Sequence, residues 1–286
     1  MIPRLLAAVV MLTTIFVAPL AARDVTGTLA KIDTTGTITI GYRESQPPMS
    51  FVDDSGAPVG YSLDLCREIV AEIETELGKA VAIDYLPVSA IERFTAVESG
   101  KIDILCGSTT VTLARRERVD FTLLTFATGG SYMALKGSNV VNNFAGKKIG
   151  VVKNTTTLTA LKELFKETGT VVEIVEFDST EQGFTDLVSK KIDIFSADQV
   201  VLIGLALKSG RAGDFTILPD LFSFEPFALA IGRNDADFRL VADKALTRIY
   251  RSGAIDLIYD KWFGRFSKSM PSALKSMIKL NSIPEK

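Results

Sequence analysis

At 286 residues, with 47% apolar and 23% charged side chains, the chain has a globular composition and the length for two modest cores rather than one. Its 32 basic and 34 acidic residues are mixed along the sequence and leave a net charge of −2, which argues against a nucleic-acid or polybasic membrane surface. With no histidine anywhere, the usual general base, the usual activator of a nucleophilic serine and the usual zinc ligand are all excluded.

The chain opens on Arg4, an apolar run over residues 5–17, Pro19, and small residues at Ala18, Ala21 and Ala22. That order reads as a cleavable secretory signal over residues 1–22, because a membrane span needs about twenty unbroken apolar residues. The mature protein is therefore expected to be soluble and periplasmic. Cys66 and Cys106 are the two cysteines, and export would place them where disulfides persist. Cys66 falls on an expected helix and Cys106 ends an expected strand, so either a helix-to-sheet staple or two buried thiols fits.

From Thr37 onward, β-rich runs alternate with amphipathic helical runs. Residues 38–42 (ITIGY), 81–87 (VAIDYLP) and 102–107 (IDILCG) read as strands, with helices over 61–77 and 91–100 between them. After a strand-like stretch at 126–136 the alternation starts afresh. Strands at 147–153, 171–178 and 192–198 frame helices at 155–166 and 183–191, and a further helix follows at 199–210. A strand at 225–233, two helices at 236–253 and 254–264, and a short helix at 272–280 complete the chain.

The segment SGKIDIL at residues 99–105 is echoed by SKKIDIF at 189–195, in the same place within each alternation. Strands separated by helices imply a parallel sheet, and the repetition implies two. The expected fold is thus α/β and two-lobed, with lobe 1 over residues 33–132 and 228–268, lobe 2 over 133–227, and a tail over 269–286. Two chain crossings of this kind make a hinge, and the ends of the strands facing the gap are where such folds bind ligands.

No GxSxG, Walker loop, GxGxxG or metal-ligand spacing occurs, and no cofactor or metal is expected. Arginines stand out instead. Arg43 follows the first strand, Arg93 opens a helix, and Arg115 lies just beyond the third strand. Each alone reads as a solvated surface charge; three at strand ends read as guanidinium forks for carboxylates. In the second half, NTTTL at 154–158 sits at a strand-to-helix turn suited either to an anion or to a plain helix cap by Thr155 or Thr156. Asp198 reads either as an acceptor for an ammonium group or as the cap of the helix it precedes.

The segments GYRES (41–45), GYSLDLC (60–66), PVSAIER (87–93), CGSTT (106–110), TLARRERVDFT (112–122), NTT (154–156), SAD (196–198) and YDKWF (259–263) resemble, in order and spacing, periplasmic amino-acid-binding proteins of ABC importers. The glutamate/aspartate-binding branch is the nearest likeness, over roughly residues 32–263. The resemblance implies a single-chain, two-lobed binder that closes on one amino acid and then presents itself to ABC permease subunits. It implies that Arg115 clamps an α-carboxylate, aided by Ser108 and Thr110, and that Asp198 accepts from the α-ammonium. Arg43 and Arg93 would hold a side-chain carboxylate, Thr155 and Thr156 would supply donors from lobe 2, and Cys66 and Cys106 would pair. Three positions depart from that branch. Thr180 stands where it often has histidine, Ala90 where it has serine, and Asn154 where it has glycine.

Three arginines and Asp198 would give the cleft one positive charge more than an acidic amino acid neutralises, so Glu44, beside Arg43, is expected to supply the balance. A multi-arginine cleft also suits a small dicarboxylate, and the alternative reading is an exported enzyme similar to cyclohexadienyl dehydratases, with Glu44 or Asp198 as proton donor. A sensor partner is a third possibility.

Overall fold

The computed structural model describes residues 25–138, 143–267 and 269–284, so the signal segment read at 1–22 lies outside the described residues. Helix α1 (Gly27–Thr35) ends at Gly36, whose φ of 70° is left-handed, and the chain turns there into β1 (Thr37–Tyr42). A small ribbon follows, made of β2 (Ser45–Gln46), β3 (Ser50–Val52) and β4 (Pro58–Val59). Next comes α2 (Tyr61–Leu77), which buries Leu63, Cys66, Ile69, Val70 and Ile73, the three-and-four spacing of one helix face. Then come β5 (Ala82–Pro87), α3 (Arg93–Glu98), β6 (Ile104–Cys106), the short α4 (Leu113–Arg116) and β7 (Asp120–Thr128).

The second half runs β8 (Gly130–Leu135), β9 (Lys148–Val152), α5 (Thr156–Thr168), β10 (Glu173–Phe177), α6 (Thr180–Val188), β11 (Ile194–Asp198), α7 (Gln199–Lys208) and β12 (Phe215–Ile217). The chain then returns through β13 (Glu225–Ile231) to α8 (Ala236–Ser252), α9 (Ala254–Phe263) and α10 (Ser272–Leu280).

Two five-stranded sheets result, in the orders β5-β1-β6-β13-β7 and β10-β9-β11-β8-β12. Neither is wholly parallel, contrary to the sequence expectation. β13 is antiparallel to both its neighbours, and β8 is antiparallel to both of its own. Each arrives from the opposite lobe without a crossover helix, so it starts at the cleft and runs away from it, whereas the parallel strands end there. The chain changes sheets at Gly129 and again between Ile217 and Glu225, a few residues before the boundaries read at 132/133 and 227/228.

The sequence repetition is reproduced in atomic detail. The Asp103 carboxylate accepts from the Thr39 N–H at 2.8 Å, and the Asp193 carboxylate accepts from the Lys148 N–H at 2.8 Å, so each aspartate ties the head of a central strand, β6 or β11, to the parallel strand beside it. Ile102 packs onto Gly41, where an added Cβ would lie 2.3 Å from its Cδ1. Ile192 packs onto Gly150 in the same way, at 2.5 Å. Even the tight turn recurs, with φ of 69° at Gly100 and 59° at Lys190.

Cys66 and Cys106 are disulfide-bonded, pinning α2 to the end of β6 with Cα atoms 6.4 Å apart. Asp64 on the same helix accepts from Arg67, from Lys261 at 2.7 Å and from Trp262 Nε1 at 2.7 Å, which explains why the GYSLDLC and YDKWF segments belong together. The tail is not separate from lobe 1. α10 lies against β7 and α8 and buries Leu274 and Ile278, roughly 1.5 to 3 kcal/mol each.

Candidate ligand-binding site

The ends of the parallel strands face the gap between the sheets, and the candidate residues follow them: Arg43 after β1, Arg93 after β5, Ser108, Thr110 and Arg115 after β6, Thr155 and Thr156 after β9, Thr180 after β10, and Asp198 at the end of β11. Arg43 leaves β1 with 4% of its surface exposed, and Gly107 makes room for it, since a Cβ there would lie 3.0 Å from the Arg43 Cγ. Burial pulls its guanidinium down to about 10, with Glu44 acting the other way, and its Nη1 is buried with no hydrogen-bond partner. Arg93 opens α3 at 3% exposure, with Nη1 3.5 Å from the Thr109 hydroxyl and its guanidinium 4.8 Å from the Phe94 ring centre. Burial first, then Arg115 and Arg43, hold it well below the usual arginine range, with Asp198 opposing; its Nε is also unpartnered.

Arg115 stands on α4, which Thr112 caps by accepting from its N–H. The guanidinium donates to the Thr110 carbonyl at 2.7 Å and lies 5.2 Å from the Phe94 ring centre. Burial lowers its basicity, and Glu225 and Asp198 raise it. Arg118 lies 5.7 Å from the same ring centre, so Phe94 attracts three guanidinium groups at once. Asp198 ends β11 at the cap position of α7, yet its side chain makes no capping bond, and its Oδ1 is buried without a partner. Burial, reinforced by Glu225 and resisted by Arg93 and Arg115, pushes its carboxyl up to about 7. Of the two sequence readings, the geometry leaves Asp198 free to accept.

The hydroxyls are less free than the sequence implied. Ser108 donates to Gln46 Oε1 at 2.6 Å. Thr155 is the N-cap of α5, accepting from the Leu158 N–H at 3.1 Å and donating to the Val152 carbonyl at 2.7 Å, so the plain-cap reading holds for it. Thr110 and Thr156 both donate to Glu225. Thr180 is buried at the start of α6, which packs toward β2. Asn154 takes a φ of 55°, a left-handed conformation that asparagine tolerates better than most residues, so replacing the family's glycine leaves the turn intact. Ala90 is buried at 1% exposure.

Glu225 is the residue the sequence reading missed. It is 1% exposed at the first position of β13, close enough to Arg115 and Asp198 to perturb both. Glu44, the expected balancing acid, is exposed beside Arg43, whose charge it favours. The visible signal for Glu225 was an acid at the head of a return strand, EPFALAI, whose apolar run leaves it no ordinary reason to be there.

A cavity of about 790 Å³ opens between the lobes beside these groups, lined by Ala90, Thr110, Arg115, Thr156 and Glu225 among others. On another side of the gap the lobes touch. Gly204 of α7 packs on the Pro47 carbonyl, where a Cβ would lie only 2.1 Å away, and Lys208 donates to the Val52 carbonyl at 2.7 Å. Among the described residues no group of His, Cys, Asp or Glu is placed to hold a metal ion.

Two α/β lobes joined by two crossings, with a cluster of buried opposed charges between them, define a bilobal protein that binds a small charged molecule. The chain belongs to the bacterial extracellular solute-binding proteins, family 3, whose model matches residues 38–265. It is 34% identical over 250 residues to the L-glutamate/L-aspartate-binding protein of Pseudomonas aeruginosa, covering 86% of this chain and 83% of that one. It is 28% identical over 246 residues to the glutamate/aspartate import solute-binding protein of Escherichia coli K12, covering 85% and 82%. Among solved structures, an ancestral arginine-binding protein bound to arginine superposes with a TM-score of 0.72 at 29% identity, covering 80% of this chain and 99% of that one. These relatives are binding proteins, and the chain is a component of amino-acid ABC transport rather than an enzyme.

Proposed function

We propose that the protein captures glutamate or aspartate outside the cytoplasm and delivers it to the permease of an ABC importer. One observation carries the ligand class. The cleft gathers three guanidinium groups and two carboxylates, Arg43, Arg93, Arg115, Asp198 and Glu225, a net charge of +1 when all are ionised. An acidic amino acid at neutral pH carries −1 and closes that balance, whereas a neutral amino acid leaves one positive charge buried and unpaired, which costs several kcal/mol.

In this reading Arg115 takes the α-carboxylate, Asp198 the α-ammonium, and the unpartnered faces of Arg43 and Arg93 the side-chain carboxylate. Each charge-assisted bond contributes roughly 1.5 to 3 kcal/mol in a site that excludes water. Export by cleavage after Ala22, a periplasmic location and a monomeric state belong to the same proposal. The names of the relatives support the ligand class, and the family match supports the ABC partnership. Thermal-shift screening of the purified protein against all the amino acids tests it, because a ligand that binds the folded state raises the melting temperature by mass action. Stabilisation by glutamate or aspartate above all others is expected. Stabilisation by a basic amino acid alone would refute it.

A further inference from the structure

Glu225 stands where the chain re-enters lobe 1, and its carboxylate joins groups from both lobes. Oε2 accepts from Thr110 Oγ1 at 2.5 Å and from Thr156 Oγ1 at 2.6 Å, one threonine on each side of the cleft. Oε1 accepts from Ser223 Oγ at 2.7 Å, and that oxygen in turn accepts from the Gly130 N–H at 2.9 Å on the other crossing. A threonine hydroxyl has one proton to give. With both protons directed at the carboxylate, what Thr110 and Thr156 offer the cleft they line is lone pairs. These two hydroxyls accept hydrogen bonds from the cleft and do not donate to it. An amine fits them and a carboxylate does not.

We propose that Glu225 is a specificity-determining positioning residue, which makes the cleft demand an ammonium group by fixing Thr110 and Thr156 as acceptors and by supplying a second buried negative charge beside Asp198. The inference rests on the amino-acid reading above and deepens it. It reassigns Thr110 and Thr156 from donors for a carboxylate to acceptors for an amine. It also says what the cleft rejects. A dicarboxylate of the same length without an amine carries −2, which exceeds the +1 of the site and brings no donor for these lone pairs. Without the Glu225 charge the site becomes +2, and the dicarboxylate, not the amino acid, closes the balance.

Glu225→Gln keeps the shape, removes the charge and introduces an amide N–H₂ that turns the threonine protons back toward the cleft. Calorimetry on the purified protein compares L-glutamate with glutarate, which differs by the amine alone. The variant is expected to bind L-glutamate about tenfold more weakly or worse, while glutarate binds as well as before or better. Equal loss for both ligands would mean a merely structural role, and unchanged L-glutamate affinity would mean no role; either overturns the inference. Should Glu225→Gln fail to fold, Thr110→Val retains the charge and deletes one acceptor oxygen. It is expected to lose L-glutamate affinity selectively, and equal loss of glutarate overturns the inference. Wild-type protein that binds neither L-glutamate nor L-aspartate overturns the ligand class itself, before any variant is compared.

Discussion

Arg93 lies within electrostatic reach of Arg43, Arg115 and Asp198, almost wholly buried and with one nitrogen unpartnered, so its replacement should change what binds rather than whether anything does. Arg93→Ala is expected to narrow the preference for acidic over uncharged amino acids at least tenfold in competition calorimetry, as a buried cation no longer awaits a partner. Arg115→Ala removes the proposed α-carboxylate clamp and should weaken every ligand by a hundredfold or more, on the basis of roughly 3 to 5 kcal/mol for an abandoned buried charge. As the proposed ammonium acceptor, Asp198 should make binding pH-dependent. Its carboxyl is held up to about 7 by burial and Glu225, so in the unbound protein it stabilises the fold below its unfolded value of 3.8, and that contribution fades as pH rises through 7. An ammonium partner needs the ionised form. Affinity should therefore rise with pH between about 5.5 and 7 and level off above, with a proton released on binding at the acid end. Asp198→Asn should abolish that slope, and calorimetry in buffers of different ionisation enthalpy measures the proton directly.

Among the elements, α2 and β6 are fastened by the Cys66–Cys106 disulfide across a separation of 40 residues, for which the chain-entropy model gives on the order of 4 kcal/mol. Replacing both cysteines by serine should lower unfolding free energy by about 2 to 4 kcal/mol in denaturant titrations while leaving ligand affinity within about threefold, since neither sulfur touches the cleft. The longer helices of the two alternations and the parallel strands were legible because each satisfies a local rule, whereas α1 and the four-residue α4 were not read. α2 shows its apolar spacing over its full length, and the Gly78 that stops it has the left-handed φ of 66°. α10 likewise runs over the residues its amphipathic pattern marks. The ribbon β2-β3-β4 and the antiparallel entries of β8 and β13 were not legible, because two-residue strands carry no periodicity and direction is a property of where the chain comes from. The three arginines could be read from their places after strands and before helices. Glu225 stands out only as an acid heading an apolar strand, and its role could not be read, since it depends on Thr110 and Thr156 arriving from opposite lobes, 115 and 69 residues away in sequence.

For the whole molecule, the proposed capture needs the two lobes to meet, and outside the charged cluster both α6 and α7 pack against the β2 region of lobe 1. Gly204→Ala sets a methyl 2.1 Å from the Pro47 carbonyl, on backbone that cannot swing aside. This variant should melt close to wild type without ligand, bind at least tenfold more weakly, and scatter X-rays as a more open particle when ligand is added. Trp262, the only tryptophan, packs edge-on against Phe51 at 5.8 Å, and Lys208 of lobe 2 lies 5.0 Å from the same ring, so tryptophan fluorescence should report closure and fall silent in Gly204→Ala. The central claim is that a cleft of net charge +1 selects a ligand of −1 carrying an amine. Calorimetry of the wild-type protein with L-glutamate, L-aspartate, L-glutamine and L-asparagine at neutral pH tests it most directly. One of the two acids should bind at least a hundredfold more tightly than its own amide, a gap of about 2.7 kcal/mol. Equal or tighter binding of the amides would contradict the account.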